Sequence, residues 1–276
     1  MEYIIETKDL EFSYPDGTQA LKKLSVALTK GKKIAIIGPN GAGKTTLFLC
    51  LNGVYIPKKG QVAYGGKMMN YTKKEIREMR KNIGIVFQDA NVQLFSANVF
   101  QEVSFGPMNM GLSKDEVRKK VEEALEKTDL SHLRDKPIHF LSGGQKKRVS
   151  IADILAMDPE VIFLDEPTAF IDPKTSSELM AFFDQLNQEG KTIVLSTHDM
   201  DKVYPWADYI FVMVDGMIIG EGVPQELFRD EKILARAGLE KPWIIEAYEA
   251  LIKDKPHLAG EEIPRTKEGF FKLMLK

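Results

Sequence analysis

The first chemistry this sequence can do sits in one short run, Gly38-Pro39-Asn40-Gly41-Ala42-Gly43-Lys44-Thr45. The run has the spacing G-x-x-x-x-G-K-[ST]. It follows a continuous apolar stretch, Ile34 to Ile37, and precedes a helical pattern that stops at Gly53. Gly38, Gly41 and Gly43 let backbone N–H groups wrap phosphates without Cβ clashes, with Asn40 in the same turn. The start of the following helix adds a partial positive charge. Lys44 is placed to reach β- and γ-phosphates, the Thr45 hydroxyl to coordinate Mg²⁺, and Thr46 to donate to an α-phosphate. A glycine turn that merely joins strand to helix would not call for the Lys-Thr pair.

Further polar groups close other apolar runs. Asp165 and Glu166 end "VIFLD-E", and strand carboxyl ends are where open α/β sheets bind ligands. Asp165 can hold Mg²⁺ through water. Pro167 biases Glu166 toward an extended backbone, from which its carboxylate can serve as general base or water positioner at a γ-phosphate. His198 follows the run Thr192 to Thr197 and is expected to make a polar contact to the same phosphate. Gln88 follows "IGIVF", where its amide can ligand Mg²⁺ or touch the attacking water. Without the glycine loop nearby, Asp165 and Glu166 would read equally well as helix-capping carboxylates, and His198 as a satisfied structural residue.

A second glycine pair raises a separate question. Ser142-Gly143-Gly144-Gln145 has capping-box spacing, which marks a helix N-terminus. Glycine at the first helical positions costs up to about 1 kcal/mol relative to alanine. That cost makes sense where a bulky anion must approach bare backbone. One nucleotide cannot easily use both loops of one chain, because the first already surrounds its phosphates. A two-chain sandwich, in which each second loop closes over the other chain's nucleotide, resolves the difficulty.

The elements that must position these groups follow from the pattern. Apolar runs alternate with helical segments, which implies an α/β layer with a mainly parallel sheet. The N-terminal segments, separated by "PDG" and "KGK", and the late "YIFVMVDGMIIGEG" hairpin with its Asp-Gly turn add antiparallel strands. Between about residues 89 and 159 the chain turns helical and charged. Val117, Val121, Ala124 and Leu125 are spaced for one helix face, so an α-helical subdomain is inserted in the sheet. The expected domains are residues 1–228 for the sheet and insert, and 229–276 for a C-terminal helical extension. With 276 residues the core is ample. A net charge of −2 disfavours broad phosphate-backbone binding, so no nucleic-acid partner is expected. The single cysteine, Cys50, excludes an intramolecular disulfide and favours an intracellular setting. Neither a signal peptide nor a membrane-spanning run of about 20 apolar residues is expected.

The order "GPNGAGKT", Gln88, "LSGGQ", "VIFLDEP", "IDP", His198 resembles that of ABC-type ATPase subunits, over roughly Tyr3 to Phe228. The resemblance implies a P-loop core, ATP and Mg²⁺ as cofactors, and a head-to-tail dimer with two ATP sites. It also implies that Tyr14 stacks on adenine and that Asp172 belongs to a dimer-spanning loop. Phe170 and Ile171 stand there in place of the smaller residues and leucine usual in the family. The segment "QDANVQLFSANVFQEVSFGPMNMGLS" is similar to that of cobalt and energy-coupling-factor importer ATPases, with Ala90 where proline is common. That narrower likeness implies a second ATPase subunit, identical or paralogous. It also implies a transmembrane coupling subunit and a substrate-specificity subunit, and a peripheral place on the cytoplasmic side of the cell membrane. The expected activity is ATP hydrolysis that drives uptake of a metal ion or vitamin. Two rivals stay in view. A non-transport ATPase of the same superfamily would bind RNA in a salt-dependent way, and a small-molecule P-loop kinase would transfer labelled phosphate to a metabolite.

Overall fold

The computed structural model describes residues 2–276. Its larger sheet has six strands in the order β11-β10-β4-β9-β8-β7. These are β4 Lys33–Ile37, β7 Ile83–Val86, β8 Val161–Asp165, β9 Thr192–Thr197, β10 Tyr209–Val214 and β11 Met217–Gly222. The strands from β10 to β7 are parallel, and β11 returns antiparallel on β10 across the Asp215-Gly216 turn. The apolar run Ile34–Ile37 is buried throughout, as a strand between two covered faces must be. Its residues alternate between cores: Ile34 and Ile36 face one, Ala35 and Ile37 the other. The same alternation separates Val161 and Phe163 from Ile162 and Leu164 in β8.

The smaller sheet is antiparallel. β1 Tyr3–Ser13 pairs with β2 Gln19–Leu24, β3 Ala27–Thr29 and β5 Lys59–Tyr64, and β5 pairs with β6 Lys67–Met68. Helix α1, Lys44–Leu51, feeds Leu47, Phe48, Cys50 and Leu51 into the core shared by both sheets. Few of its positions face water, which explains its lack of amphipathic periodicity. Phe48 stacks on Phe163 with ring centroids 4.6 Å apart. Cys50 is fully buried, and burial pushes its thiol pKa up to about 12.

The expected helical insert is present. After α2 Lys73–Asn82 and β7 come α3 Ala90–Gln93, α4 Val99–Asn109, α5 Lys114–Lys127 and α6 Gly143–Leu155. The α5 face anticipated from spacing, with Val117, Val121, Ala124 and Leu125, packs against Val99, Val103, Val149 and Ala152 in a third core. Helix α6 belongs to two layers: Val149 and Ala152 face the insert, while Ile151 and Ile154 face the sheet.

Helices α7 Pro173–Gln188 and α8 Met200–Trp206 share with α6 the face of the sheet opposite α1, followed after β11 by α9 Pro224–Leu227, α10 Glu231–Ala237, α11 Trp243–Asp254 and α12 Lys267–Met274. The C-terminal helices pack onto the sheet core through Leu234, Ile245, Tyr248, Phe270 and Leu273. Arg265 donates to the carbonyls of Tyr204 at 2.8 Å and Ala207 at 2.5 Å, which satisfies the end of α8. The Trp243 N–H donates to the Asp201 carboxylate at 2.9 Å, at the other end of the same helix. Tyr248 is therefore a packing residue, its hydroxyl donating to the Glu261 carbonyl at 3.0 Å, whereas Trp243 stays half exposed against Phe270. Among the described residues, no helix is long and apolar enough to cross a membrane.

Phe163 joins the sheet to α1 from a fully buried position. Phe163→Ala should therefore cost about 3–5 kcal/mol, read as a lower midpoint in urea unfolding with unchanged slope.

Candidate nucleotide site

Strand register builds the site. Ile37 pairs with Thr197, and Asp165 pairs with Ser196, so β4, β8 and β9 end level with one another. The phosphate loop, the acid pair and His198 all leave the sheet at this edge. A cleft of about 510 Å³ opens there, and its lining includes Tyr14, Asn40, Gly41, Gly43, Thr46 and Gln88. Lys44, Thr45, Asp165 and Glu166 line it as well, whereas His198 does not. Residues not anticipated also line it, among them Thr18, Lys22, Asp215 and Gly216. The Asp-Gly turn was legible as a hairpin, but nothing in its sequence signalled that Gly216 would bond to the Ala42 carbonyl of the phosphate loop and to the Lys22 N–H of β2.

The glycines divide by task. Gly38 has φ +153°, and a Cβ there would stand 2.0 Å from the Met213 carbonyl oxygen. Gly43 has φ +101°, and its Cβ would stand 2.7 Å from the Ala20 carbonyl oxygen. Both are required by neighbouring backbone before any ligand is considered. Gly41 faces open space, with φ +80°.

Lys44 is buried, and its Nζ donates to the carbonyls of Gly38 at 2.8 Å and Pro39 at 3.0 Å. Burial lowers its pKa, and the charges of Glu166 and Asp165 oppose the shift. Asp165 is also buried; Thr45 Oγ1 donates to its Oδ2 at 2.5 Å, and Ser196 Oγ donates to its Oδ1. Among the described residues, no group of three or more His, Cys, Asp or Glu gathers around a possible metal position. One carboxylate beside a threonine hydroxyl and an amide suits Mg²⁺, which takes few protein ligands and completes its shell with phosphate oxygen and water.

Glu166 departs from expectation. Its backbone is left-handed, with φ +44°, rather than extended. Proline at the next position disfavours right-handed helix but does not impose an extended chain here. The Glu166 N–H continues the pairing past β8 by donating to the Ser196 carbonyl at 3.0 Å. Its carboxylate accepts from Thr197 Oγ1 at 3.0 Å and meets His198 Nδ1 at 2.8 Å. These contacts hold a conformation that non-glycine residues seldom adopt. The carboxylate side chain is 9% exposed and the histidine 60%, so His198 covers Glu166 from the solvent side. Ser196 and Thr197 were missed as site residues; their place at the end of a central strand was the available signal.

Tyr14 OH lies 2.7 Å from Thr46 Oγ1, and the ring packs edge-on against Phe12 at 5.2 Å and Tyr55 at 5.8 Å. Gln88 is exposed, and its carbonyl accepts from the buried Lys147 at 2.6 Å. Burial lowers the Lys147 pKa to about 8, against the opposing charges of Asp165 and Asp89.

The second loop forms the capping box that its spacing predicts. Ser142 Oγ accepts from the Gln145 N–H at 3.3 Å, and Gln145 Oε1 accepts from the Ser142 N–H at 3.0 Å. Ser142 and Gly143 are exposed, and a Cβ on Gly143 would meet nothing within 4 Å. Ser142, Gly143, Gly144 and Gln145 do not line the cleft around the phosphate loop. Asp172 caps α7, accepting from the Thr175 N–H at 2.9 Å and hydroxyl at 2.6 Å.

A phosphate loop facing an acid pair at the carboxyl edge of a parallel sheet, with a helical insert that presents a second glycine loop, defines an ATP-binding cassette. The profile of ABC transporters matches residues 21–169. An energy-coupling factor transporter ATP-binding protein of Methanocaldococcus jannaschii is 50% identical over 251 residues, spanning 91% of this chain and 90% of that protein. A putative ABC transporter ATP-binding protein of Methanosarcina mazei is 46% identical over 264 residues, which are 95% of this chain but 58% of that longer protein. The solved structure of cbiO1 from Clostridium perfringens, part of the transporter complex cbiONQ, matches with TM-score 0.76 and 45% identity, covering 90% of this chain and 100% of that one. The chain belongs to the ABC transporter family and is an ATPase of that family.

Because Gly38 has no room for a methyl group, Gly38→Ala should destabilise the fold by at least about 2 kcal/mol. Thermal unfolding without nucleotide checks this; an unchanged midpoint would mean that the loop tolerates a side chain.

Proposed function

We propose that this chain is the ATP-hydrolysing motor of an energy-coupling-factor-type importer for a metal ion or vitamin, and that it works as one half of a head-to-tail ATPase pair. The observation that carries the pairing is the separation of the two glycine loops. Ser142 and Gly143 face solvent at the helix start, and Ser142–Gln145 lie outside the cleft that holds their own chain's phosphate loop. The partner ATPase is a second copy or a paralogue, and each cleft is closed by the other chain's Ser142–Gln145.

Within one cleft, the loop amides and Lys44 bind the phosphates, and the buried ammonium gains the anionic partner that its desolvation calls for. Tyr14 provides the aromatic surface for adenine, and Thr46 turns from the tyrosine to the α-phosphate. Thr45, Asp165 and Gln88 would hold Mg²⁺, which when bound neutralises charge on the phosphates. Glu166 orients the attacking water, with His198 and Thr197 holding its carboxylate. Catalysis is then mainly positioning and charge neutralisation. Asp172 carries the contact between the two chains beside α7.

The membrane side of the motor is read from a second hollow. A groove of about 710 Å³ lies between the sheet and the helical insert, lined by Arg77, Arg80, Phe95, Phe105, Met110 and Met157 among others. Phe95 and Phe105 are 68% and 48% exposed and pack edge-on at 4.9 Å. An uncovered aromatic pair in a groove suits a docked helix from a transmembrane coupling subunit. The chain is then peripheral, on the cytoplasmic face of the membrane, and the substrate is chosen by a separate specificity subunit. The likeness to cbiO1 and to the Methanocaldococcus protein supports this assignment.

Glu166→Gln should slow hydrolysis by about 10²–10⁴-fold and accumulate an ATP-bound dimer in sizing experiments; a monomer in ATP and Mg²⁺ would count against the pairing. Lys44→Ala should abolish ATP binding in equilibrium titrations, and Ser142→Arg should block turnover while leaving binding to the isolated chain intact. Phe95→Asp should leave the basal ATPase of the purified chain in place and remove co-purification with membrane subunits.

A further inference from the structure

Helix α6 grips the segment that carries Gln88. Lys147 is 2% exposed, and its ammonium donates to two successive carbonyls, Phe87 O at 2.7 Å and Gln88 O at 2.6 Å. In an extended strand, successive residues face opposite ways. Two neighbouring carbonyls that meet on one cation mark the point where the chain bends out of β7, and a bend begins at Gln88. The Phe87 N–H donates to Gln93 Oε1 at 3.2 Å, and the Gln93 amide donates onward to the Ser150 carbonyl at 3.0 Å and Asp153 Oδ2 at 3.3 Å. Both backbone groups of Phe87 are thus tied to α6, directly or through one side chain. The N-terminus of this helix is Ser142–Gln145.

A buried ammonium is an expensive way to fill space, since an apolar side chain of the same length carries no desolvation cost. Charge-assisted hydrogen bonds to carbonyls repay that cost only if the geometry they fix matters.

We propose that Lys147 is a positioning residue for Gln88, linking the tilt of α6, and hence the reach of Ser142–Gln145 toward the partner's nucleotide, to the place of Gln88 in the chain's own cleft. The proposal rests on the nucleotide-site reading of Gln88 given above. An approach of the second chain that moves α6 carries the Phe87–Gln88 bend with it, so each site reports on the other through one side chain.

The test is a double-mutant cycle in the full chain with Lys147→Met, Gln88→Ala and the pair. Lys147→Met and Gln88→Ala should each lower kcat by on the order of 10-fold with KM for ATP unchanged, the pair should be no slower than the worse single, and Lys147→Arg should recover most of the rate. A pair whose loss equals the product of the single losses would overturn the link. Should Lys147→Met not fold, Lys147→Ala, which also lacks a donor, takes its place in the same cycle, and the same comparison of single and paired losses decides. Hydrogen exchange of the nucleotide-free chain gives an independent readout: in Lys147→Met, the Phe87 amide, bonded to Gln93 in the native chain, should exchange at least about 10-fold faster while the β8 amides stay protected. Unchanged exchange at Phe87 would also overturn the proposal. If Gln88→Ala leaves turnover unchanged but exchange responds to Lys147→Met, the reading of Gln88 has failed and the mechanical link stands.

Discussion

The level ending of β4, β8 and β9 is the constraint on which the molecule depends. Parallel pairing sets Asp165 beside Ser196 and Thr197 beside Ile37, so every group that leaves the sheet starts from one line. A one-residue slip of β8 would turn Phe163 and Leu164 to the wrong cores and move the acid pair off that line. The alternate burial of Ile34, Ala35, Ile36 and Ile37 on two faces therefore fixes chemistry as well as stability.

At this edge the protein gathers charges that it cannot leave alone. Lys44, Asp165 and Glu166 are all buried, and each is held by hydrogen bonds from within the chain. Lys44 rests on loop carbonyls, Asp165 on two hydroxyls, and Glu166 on a threonine and a histidine. These contacts resemble what a phosphate and a cation would provide, so exchanging one set for the other leaves little buried charge uncompensated.

Much of this was legible in the amino-acid order because local rules and global fold agree. The phosphate loop lies between a doubly buried strand and a helix, the α5 face was readable from Val117 to Leu125, and the Ser142 capping box formed as spaced. What was not legible depends on distant partners. The left-handed Glu166 is set by a strand some thirty residues away, since its N–H and carboxylate both bond to β9 and its end. Gly38 and Gly43 owe their lack of a side chain partly to Met213 and Ala20, which no local pattern announces. Nothing in the order Lys146-Lys147-Arg148 tells which of the three turns inward, and it is folding that buries Lys147. The C-terminal helices share the sheet's core through Tyr248 and Phe270, which helical periodicity alone could not distinguish from a free-standing tail.

The buried Cys50 has a practical consequence. It is the single sulfhydryl of the chain, sealed in α1 with its pKa near 12. Burial keeps it in the thiol form at neutral pH, and maleimide or iodoacetamide reagents attack only thiolate they can reach. A cysteine introduced on the surface would thus be the one labelled position, and a fluorophore or spin label could be placed there without first removing the native residue.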